Sequence, residues 1–211
     1  MIQVVRNIRN LPSRATQSII FASTKVGGLA LQDPLIEVDI QATVQAIEML
    51  SSTDPLVSTI AKSELKQSVR FAARSDPSPA LIHDFLSGSN KGQLHHDRIR
   101  YRTHSLWTRA RKACRNLNLS LHVPDFNPPY LTAESESPIL SKSACTKLHH
   151  ICQDCSAQKL ISLPDQGKVA RALVNDIFGN GSPWLYSGLN IRFKDWRFIH
   201  RARLNLVTTN Q

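Results

Sequence analysis

The amino-acid sequence predicts an all-α fold, in which a helical cluster is followed by a helical linker region with at most one short extended segment. Two observations support this prediction. Apolar residues recur at three- and four-residue spacing through most of the chain, which is the period of a helix with one buried face. An Asp-Pro pair precedes three of these stretches, and Asp is a favoured helix cap while Pro suits the first helical turn.

The first half of the chain is predicted to begin with a short helix over Ile2–Arg9 and a brief extended piece over Ile19–Ala22. Three further helices are predicted to start at Asp33-Pro34, Asp54-Pro55 and Asp76-Pro77. Because the turns between them are short, these three helices are expected to pack as antiparallel neighbours.

The second half is predicted to contain a helix with Leu106, Ala110, Ala113 and Leu117 on its inner face. The proline-rich stretch from Pro124 to Pro138 is predicted to be a linker. Further helices follow over Ile139–Leu160, after Asp165 and near the end of the chain. These patterns divide the sequence into segments 1–74, 75–123, 124–138 and 139–211.

Charge is the most informative feature of the composition. The 211 residues carry a net charge of +10, which favours a polyanionic partner such as RNA or DNA. The stretch from Lys91 to Arg115 has eight Lys or Arg against one Asp, and the stretch from Arg192 to Arg203 has five against one. The rest of the chain is nearly neutral.

These two basic clusters supply the predicted nucleic-acid-binding residues, which would contact the phosphate backbone. They are Arg98, Arg100, Arg102, Arg109, Arg111, Lys112 and Arg115 in the first cluster, and Arg192, Lys194, Trp196, Arg197, Arg201 and Arg203 in the second. Trp196 is a candidate for stacking on bases. Trp107, beside the inward Leu106 position, is expected to lie in the core. The bland alternative is that both clusters are solvated helix faces.

The sequence contains no apolar run long enough to cross a membrane and no signal-peptide pattern at its start. The uneven spacing of the four cysteines favours reduced thiols and an intracellular location.

Two other chemistries can be assembled from the sequence. Cys145, His149, Cys152 and Cys155 are potential zinc ligands, but they lie on one predicted helix and cannot surround an ion alone. We therefore predict no metal site and no cofactor, and place these side chains on a half-buried helix face. Asp54 with Glu64-Leu65-Lys66 has the spacing of a metal nuclease, but these residues also fall on a predicted helix, so we predict no catalytic residues.

Several collinear stretches resemble the thumb and linker region of reverse transcriptases from non-LTR retrotransposons that carry a restriction-like endonuclease. Phe21-Ala22-Ser23-Thr24-Lys25-Val26-Gly27-Gly28-Leu29-Ala30-Leu31 is similar to the entry of the thumb, with Ala30 in place of the usual glycine. Similar later blocks are Leu86-Ser87-Gly88-Ser89, Ser105-Leu106-Trp107-Thr108-Arg109-Ala110-Arg111-Lys112-Ala113, Asp165-Gln166-Gly167-Lys168 and the segment from Trp196 to Leu206.

The resemblance implies a thumb-like helical domain over 1–74, a nuclear protein, and a role in gripping template RNA and target DNA. The palm and endonuclease of that family are missing here, and the sequence has no Asp-Asp pair to hold catalytic metals. The chain is therefore expected to be a non-catalytic fragment of a retrotransposon polyprotein. The alternatives are a helical protein-interaction module with a basic face and a non-functional retroelement relic.

Overall fold

A computed structural model of the chain describes residues 2–9, 11–94, 105–124, 128–133, 137–174 and 191–207. The described residues are predominantly α-helical, which confirms the predicted class. The helices are α1 (Ile2–Arg9), α2 (Ser18–Phe21), α3 (Pro34–Leu50), α4 (Pro55–Ala73), α5 (Pro79–Leu86), α6 (Leu106–Leu117), α7 (Ser141–Ser162), α8 (Lys168–Val174) and α9 (Phe193–Arg203), with 3-10 turns over Thr24–Val26 and Gly92–Leu94. The strands are β1 (Leu119–His122), β2 (Tyr130–Ala133) and β3 (Ile139–Leu140). The prediction of at most one extended segment is wrong.

Local capping accounts for the helix starts. Helices α3 and α4 begin at Pro34 and Pro55 as predicted, and the Asp54 carboxylate accepts a hydrogen bond of 2.8 Å from the N–H of Leu56. The third predicted start, at Asp76-Pro77, is too early. Helix α5 begins at Pro79, where the Ser78 hydroxyl accepts from the N–H of Leu81 at 3.2 Å. Ser78 and Pro79 therefore begin α5 in the same way as Asp54 and Pro55 begin α4, with a capping side chain followed by proline.

The proline-rich stretch predicted to be a linker contains the central strand of a three-stranded sheet. Strand β2 pairs antiparallel with β1 on one side and with β3 on the other, with Leu131 opposite both Leu121 and Ile139. These three side chains are fully buried. The linker prediction is wrong because this short strand is stabilised by pairing with distant partners, which the local sequence does not reveal.

Residues 34–149 form one compact unit. Helix α3 packs most extensively against α6 and also contacts α4, while α5 and α6 both contact β1. The fully buried large side chains of this unit are Ile40, Ile47, Leu65, Phe85, Leu86, Leu94, Trp107, Leu121, Leu131, Ile139 and Leu148. This unit therefore joins helices to a small sheet through an apolar core.

Residues 1–33 and 150–211 form a second compact unit, built from both ends of the sequence. Its core contains Leu11, Ala15, Ile19, Ile20, Ala22, Val26, Ala157, Leu160, Ala170, Leu204 and Leu206. The compact units do not follow the predicted segments 1–74, 75–123, 124–138 and 139–211.

The stretch predicted to be extended over Ile19–Ala22 is mostly helix α2, so that prediction is wrong. The chain after the glycine turn runs back along α2. The N–H groups of Leu29 and Leu31 donate to the carbonyls of Ile19 and Ile20 at 2.8 and 3.0 Å. These two hydrogen bonds join the returning chain to α2 and hold the turn closed.

The turn itself requires glycine at two positions. Gly27 has φ +83°, and a Cβ on Gly28 would lie 2.1 Å from the carbonyl oxygen of Ala22, closer than any real contact. Ala30 also has a positive φ, +49°, although it carries a Cβ. Glycine would adopt this conformation without the steric cost that the Cβ of Ala30 brings.

Candidate nucleic-acid interface

Helix α6 presents three of the predicted cations on its outer side. Arg109, Lys112 and Arg115 are exposed and follow one another at three-residue spacing, so they form a stripe along the helix. We call this the α6 stripe. Across the part of the chain that the structure describes, none of the three makes an ion pair.

A capping box fixes the start of α6. The Ser105 hydroxyl accepts a hydrogen bond from the N–H of Thr108 at 3.2 Å, and the Thr108 hydroxyl accepts from the N–H of Ser105 at 3.0 Å. This reciprocal arrangement satisfies two amides that the helix leaves unpaired. The stripe is thus carried by a helix with a defined first turn.

A groove between α3 and α6 borders the stripe. It has a volume of about 440 Å³, and its charged lining residues are Glu37, Asp39, Arg109 and Lys112. The two acids are engaged elsewhere. Asp39 accepts from the Asn116 amide at 2.8 Å, and Glu37 contacts His149 at 2.7 Å.

Glu37 is bound by Gln41 and His149, both in its own unit. The Gln41 amide donates to it at 2.7 Å, and this hydrogen bond is the largest cause that lowers the pKa of Glu37. Partial burial acts in the opposite direction, and His149 lowers the pKa further. Among the described residues, neither acid of the groove forms an ion pair with the α6 stripe.

Arg111, a predicted phosphate ligand, lies inside the unit. Its side chain is 5% exposed and lies over the Phe85 ring, 5.0 Å from the ring centre. It donates to the Phe85 carbonyl at 3.0 Å, to the Ser89 carbonyl, and to the Asn90 side-chain oxygen at 3.1 Å. Burial, followed by the charge of Arg115, lowers its pKa to about 10. The prediction that Arg111 contacts phosphate is therefore wrong, because its donors are used within the fold.

The inner face of α6 also differs slightly from the predicted one. Trp107 is 1% exposed, which confirms that it belongs to the core rather than to a stacking surface. Cys114 is fully buried, and burial raises the pKa of its thiol to about 12. Leu106 and Leu117, predicted to point inward, are only half-buried.

Helix α9 carries the second basic cluster, in the other compact unit. Arg192 and Lys194 are exposed, and the Arg192 Nε donates to the Asp195 carboxylate at 2.7 Å. Arg197 is half-buried and lies over the Phe193 ring, 5.5 Å from its centre. Lys194 is thus the exposed cation of this helix that has no carboxylate partner among the described residues.

Trp196 belongs to a row of aromatic rings along α9. It is half-buried, stacks on Phe193 with ring centres 5.9 Å apart, and meets His200 edge-on at 4.1 Å. Phe193 is 54% exposed, whereas His200 is buried. The exposed end of the row is therefore Phe193, so Trp196 reaches solvent beside it rather than as a separate platform.

The last two predicted cations of α9 are only partly accessible. Arg201 and Arg203 are half-buried, and burial lowers the pKa of Arg203. A Cβ added to Gly27 would lie 3.0 Å from the Nη2 of Arg203, so this guanidinium packs against the glycine turn. The geometry gives Arg203 a packing contact, which sequence position alone did not indicate.

Arg98, Arg100 and Arg102 lie outside the described residues. The structure also reveals cations that the sequence analysis did not select: Lys62, Lys66, Arg70 and Arg74 are all exposed on or at the end of α4. Their four-residue spacing puts them on neighbouring turns of one helix. This four-residue spacing could have identified the cations from the sequence. A count of net charge over short stretches does not detect cations spread along a helix.

The residues considered for a zinc site and for a metal nuclease make ordinary structural contacts. Cys145 accepts a weak hydrogen bond from Gln41 at 3.8 Å, and His149 contacts Glu37. Within the described ranges no three His, Cys, Asp or Glu side chains are grouped so that they could hold a metal ion. Asp54, from the nuclease-like pattern, caps α4.

The described helices include none that is long and apolar enough to cross a membrane. No protein-family model, characterised protein or solved structure matches the chain.

Proposed function

We propose that this chain is a non-catalytic protein that grips the phosphate backbone of RNA and DNA. This is the role expected for the thumb and linker region of a retrotransposon reverse transcriptase. The observation that carries the proposal is the α6 stripe of Arg109, Lys112 and Arg115, which is exposed and has no ion pair among the described residues. Such cations can neutralise phosphates and release the counterions condensed on them.

Helix α9 supports the proposal with cations of its own unit. Lys194 is exposed, and the Arg192–Asp195 pair lies at the surface, where ion pairs contribute little to stability. Arg192 can therefore exchange its carboxylate for a phosphate oxygen at small cost. The aromatic row that ends at Phe193 adds an apolar surface beside these charges.

The proposal contains no bond-making step. The sequence has no adjacent aspartates, whereas nucleotide transfer by two metal ions needs carboxylates that bind both ions. The α6 stripe offers positive charge and hydrogen-bond donors only. Its contribution is to hold and orient a strand.

The experiment is a salt titration of binding to a fluorescein-labelled duplex, followed by anisotropy. We expect log affinity to fall linearly with log salt concentration. Replacing Arg109, Lys112 and Arg115 together with Ala should flatten this slope by about 2 to 3, since each neutralised phosphate contributes about 0.9. The loss should be similar for unrelated sequences, because phosphate contacts carry no base information.

The matched control removes the same charge elsewhere. Lys25, Lys142 and Lys159 are exposed and lie outside α4, α6 and α9. Their triple replacement with Ala should leave the slope within about 1 of the parent's, because none of these lysines belongs to the α6 stripe. If the α6 variant and this control behave alike, the α6 stripe is not the binding site. If neither changes binding and an acidic protein competes as well as DNA, the interaction-module alternative takes its place.

A further inference from the structure

Helix α4 carries a continuous row of cations apart from the α6 stripe. Lys62, Lys66, Arg70 and Arg74 are exposed and recur every four residues. With a rise of 1.5 Å per residue, the row extends about 18 Å along the helix. A surface of this length can contact several consecutive phosphates.

The row ends in a groove with an exposed aromatic ring. The groove has a volume of about 530 Å³ and is lined by Arg70, Phe71, Arg74, Ser75 and Asp76. Phe71 is 60% exposed and lines the groove beside two guanidinium groups. The groove thus combines a flat apolar face with positive charge.

The backbone of Arg74 adds a second observation. Arg74 is the C-cap of α4 and has φ +56°, in the left-handed region, with its N–H donating to the Arg70 carbonyl at 2.9 Å. Glycine adopts this conformation without the steric cost that a Cβ brings, and is the usual residue at such a cap. An arginine in this position places positive charge at the edge of the groove, at the C-terminal end of α4.

One ligand chemistry matches all three features. A nucleotide in a single strand offers a base whose flat face can stack on Phe71 and a phosphate that guanidinium groups can bind. A duplex does not offer that face, because its bases are stacked on one another. The Arg70–Asp76 ion pair, 2.9 Å long, is exposed on both sides and therefore contributes little, so a phosphate can displace Asp76.

We propose that the groove at the end of α4 is a site for single-stranded nucleic acid, with Phe71 stacking on a base and Arg70 and Arg74 binding phosphate. The inference rests on the proposed function, because it names the form of nucleic acid and adds a site outside the α6 stripe. Duplexes and single strands then bind through different residues of the same unit.

The test compares binding of a fluorescein-labelled oligothymidylate and of a duplex of equal length. Phe71→Leu keeps an apolar side chain but removes the ring, and should weaken single-strand binding about fivefold to a hundredfold while changing duplex binding less than twofold. Asp76→Asn frees Arg70 and should strengthen single-strand binding.

Arg74→Gly separates binding from folding. It removes the charge and the backbone strain together, so this variant should unfold at a higher urea concentration than the parent and yet bind the oligothymidylate more weakly. Arg74→Lys should retain most of the binding. A loss of affinity in a protein that has become more stable cannot come from misfolding.

The outcomes distinguish the two proposals. If Phe71→Leu and Arg74→Gly bind the oligothymidylate as the parent does, the α4 site is overturned, while loss of duplex binding in the α6 variant still supports the proposed function. If the α6 variant binds the duplex as the parent does while the α4 variants lose oligothymidylate binding, the α4 site is supported and the α6 stripe is overturned. If polyglutamate displaces the oligothymidylate and its own binding is unchanged by Phe71→Leu, the surface recognises negative charge alone and the proposed base-stacking site is overturned.

Discussion

Arg111 holds a positive charge inside the protein because its donors meet acceptors there. The carbonyls of Phe85 and Ser89 and the side chain of Asn90 receive its hydrogen bonds. These acceptors belong to the end of α5 and the loop after it, so the guanidinium ties that loop to α6. A buried arginine with such contacts is a structural residue, even within a basic cluster.

We expect Arg111→Ala to lower the free energy of unfolding by about 2 to 4 kcal/mol, because it leaves buried carbonyls without donors. Arg111→Lys should restore little, since one ammonium group cannot reproduce the fork of a guanidinium. Arg109→Ala, on the exposed face two residues away, should change stability by less than about 0.5 kcal/mol. Urea denaturation of the three variants measures these differences. Equal stability of the Arg109 and Arg111 variants would contradict the structural role.

Ala30 gives the opposite kind of prediction. Its φ of +49° is the left-handed conformation, which costs a residue with a Cβ roughly 1 to 2 kcal/mol. Glycine avoids this cost but loses more entropy on folding, so Ala30→Gly should stabilise the protein by about 0.5 to 1 kcal/mol. The same change at Ala42, in the middle of α3, should destabilise by about 1 kcal/mol. A lower urea midpoint for Ala30→Gly would show that this turn relaxes differently in solution.

At the scale of the elements, β2 shows how a short strand inside a proline-rich stretch becomes part of a core. Leu131 is fully buried and is paired with both neighbouring strands. We expect Leu131→Ala to cost about 2 to 5 kcal/mol of stability through lost burial and the cavity that remains. Leu140→Ala is the matched control, because Leu140 ends β3 and is half exposed, and it should be nearly neutral. A linker would tolerate both changes equally, so thermal unfolding of the pair decides between linker and strand.

The elements that the sequence predicts well are those fixed by neighbouring residues. Helix α4 starts where predicted, because Pro55 and the capping side chain of Asp54 are adjacent in the sequence. Strand β2 and helix α2 could not be predicted in this way. The four residues of β2 pair with residues 8 to 14 positions earlier, in β1. Helix α2 is held by the chain that returns after the glycine turn. Pairing between distant segments has no local pattern.

The candidate site follows the same rule. The sequence locates the positive charge on α6 and α9, but not which side chains face solvent. Arg111 points inward and Arg203 packs at the glycine turn because buried neighbours surround them. The cations of α4 were missed for the converse reason. They are spread along a whole helix, so only the helical repeat brings them onto one surface.

At the scale of the whole molecule, the two compact units differ in how the sequence builds them. Residues 34–149 are continuous and contain a complete set of buried side chains on α3, α4, α5, α6 and the sheet. The other unit needs both ends of the chain, since Ile19 and Ile20 share a core with Leu160, Leu204 and Leu206. The order of segments therefore predicts which parts can fold alone.

We expect a fragment of residues 34–149 to fold by itself, because its core is closed within one continuous segment. It should show a helical circular dichroism spectrum and one cooperative urea transition. A fragment of residues 1–149 should contain the same folded unit, but its first 33 residues should be cut quickly by protease. This fragment lacks α8 and the segment around Leu204, whose side chains share the core with Ile19 and Ile20. If residues 1–33 resist protease in that fragment, the N-terminal segment has a core of its own. If residues 34–149 fail to unfold cooperatively, that unit depends on the rest of the chain.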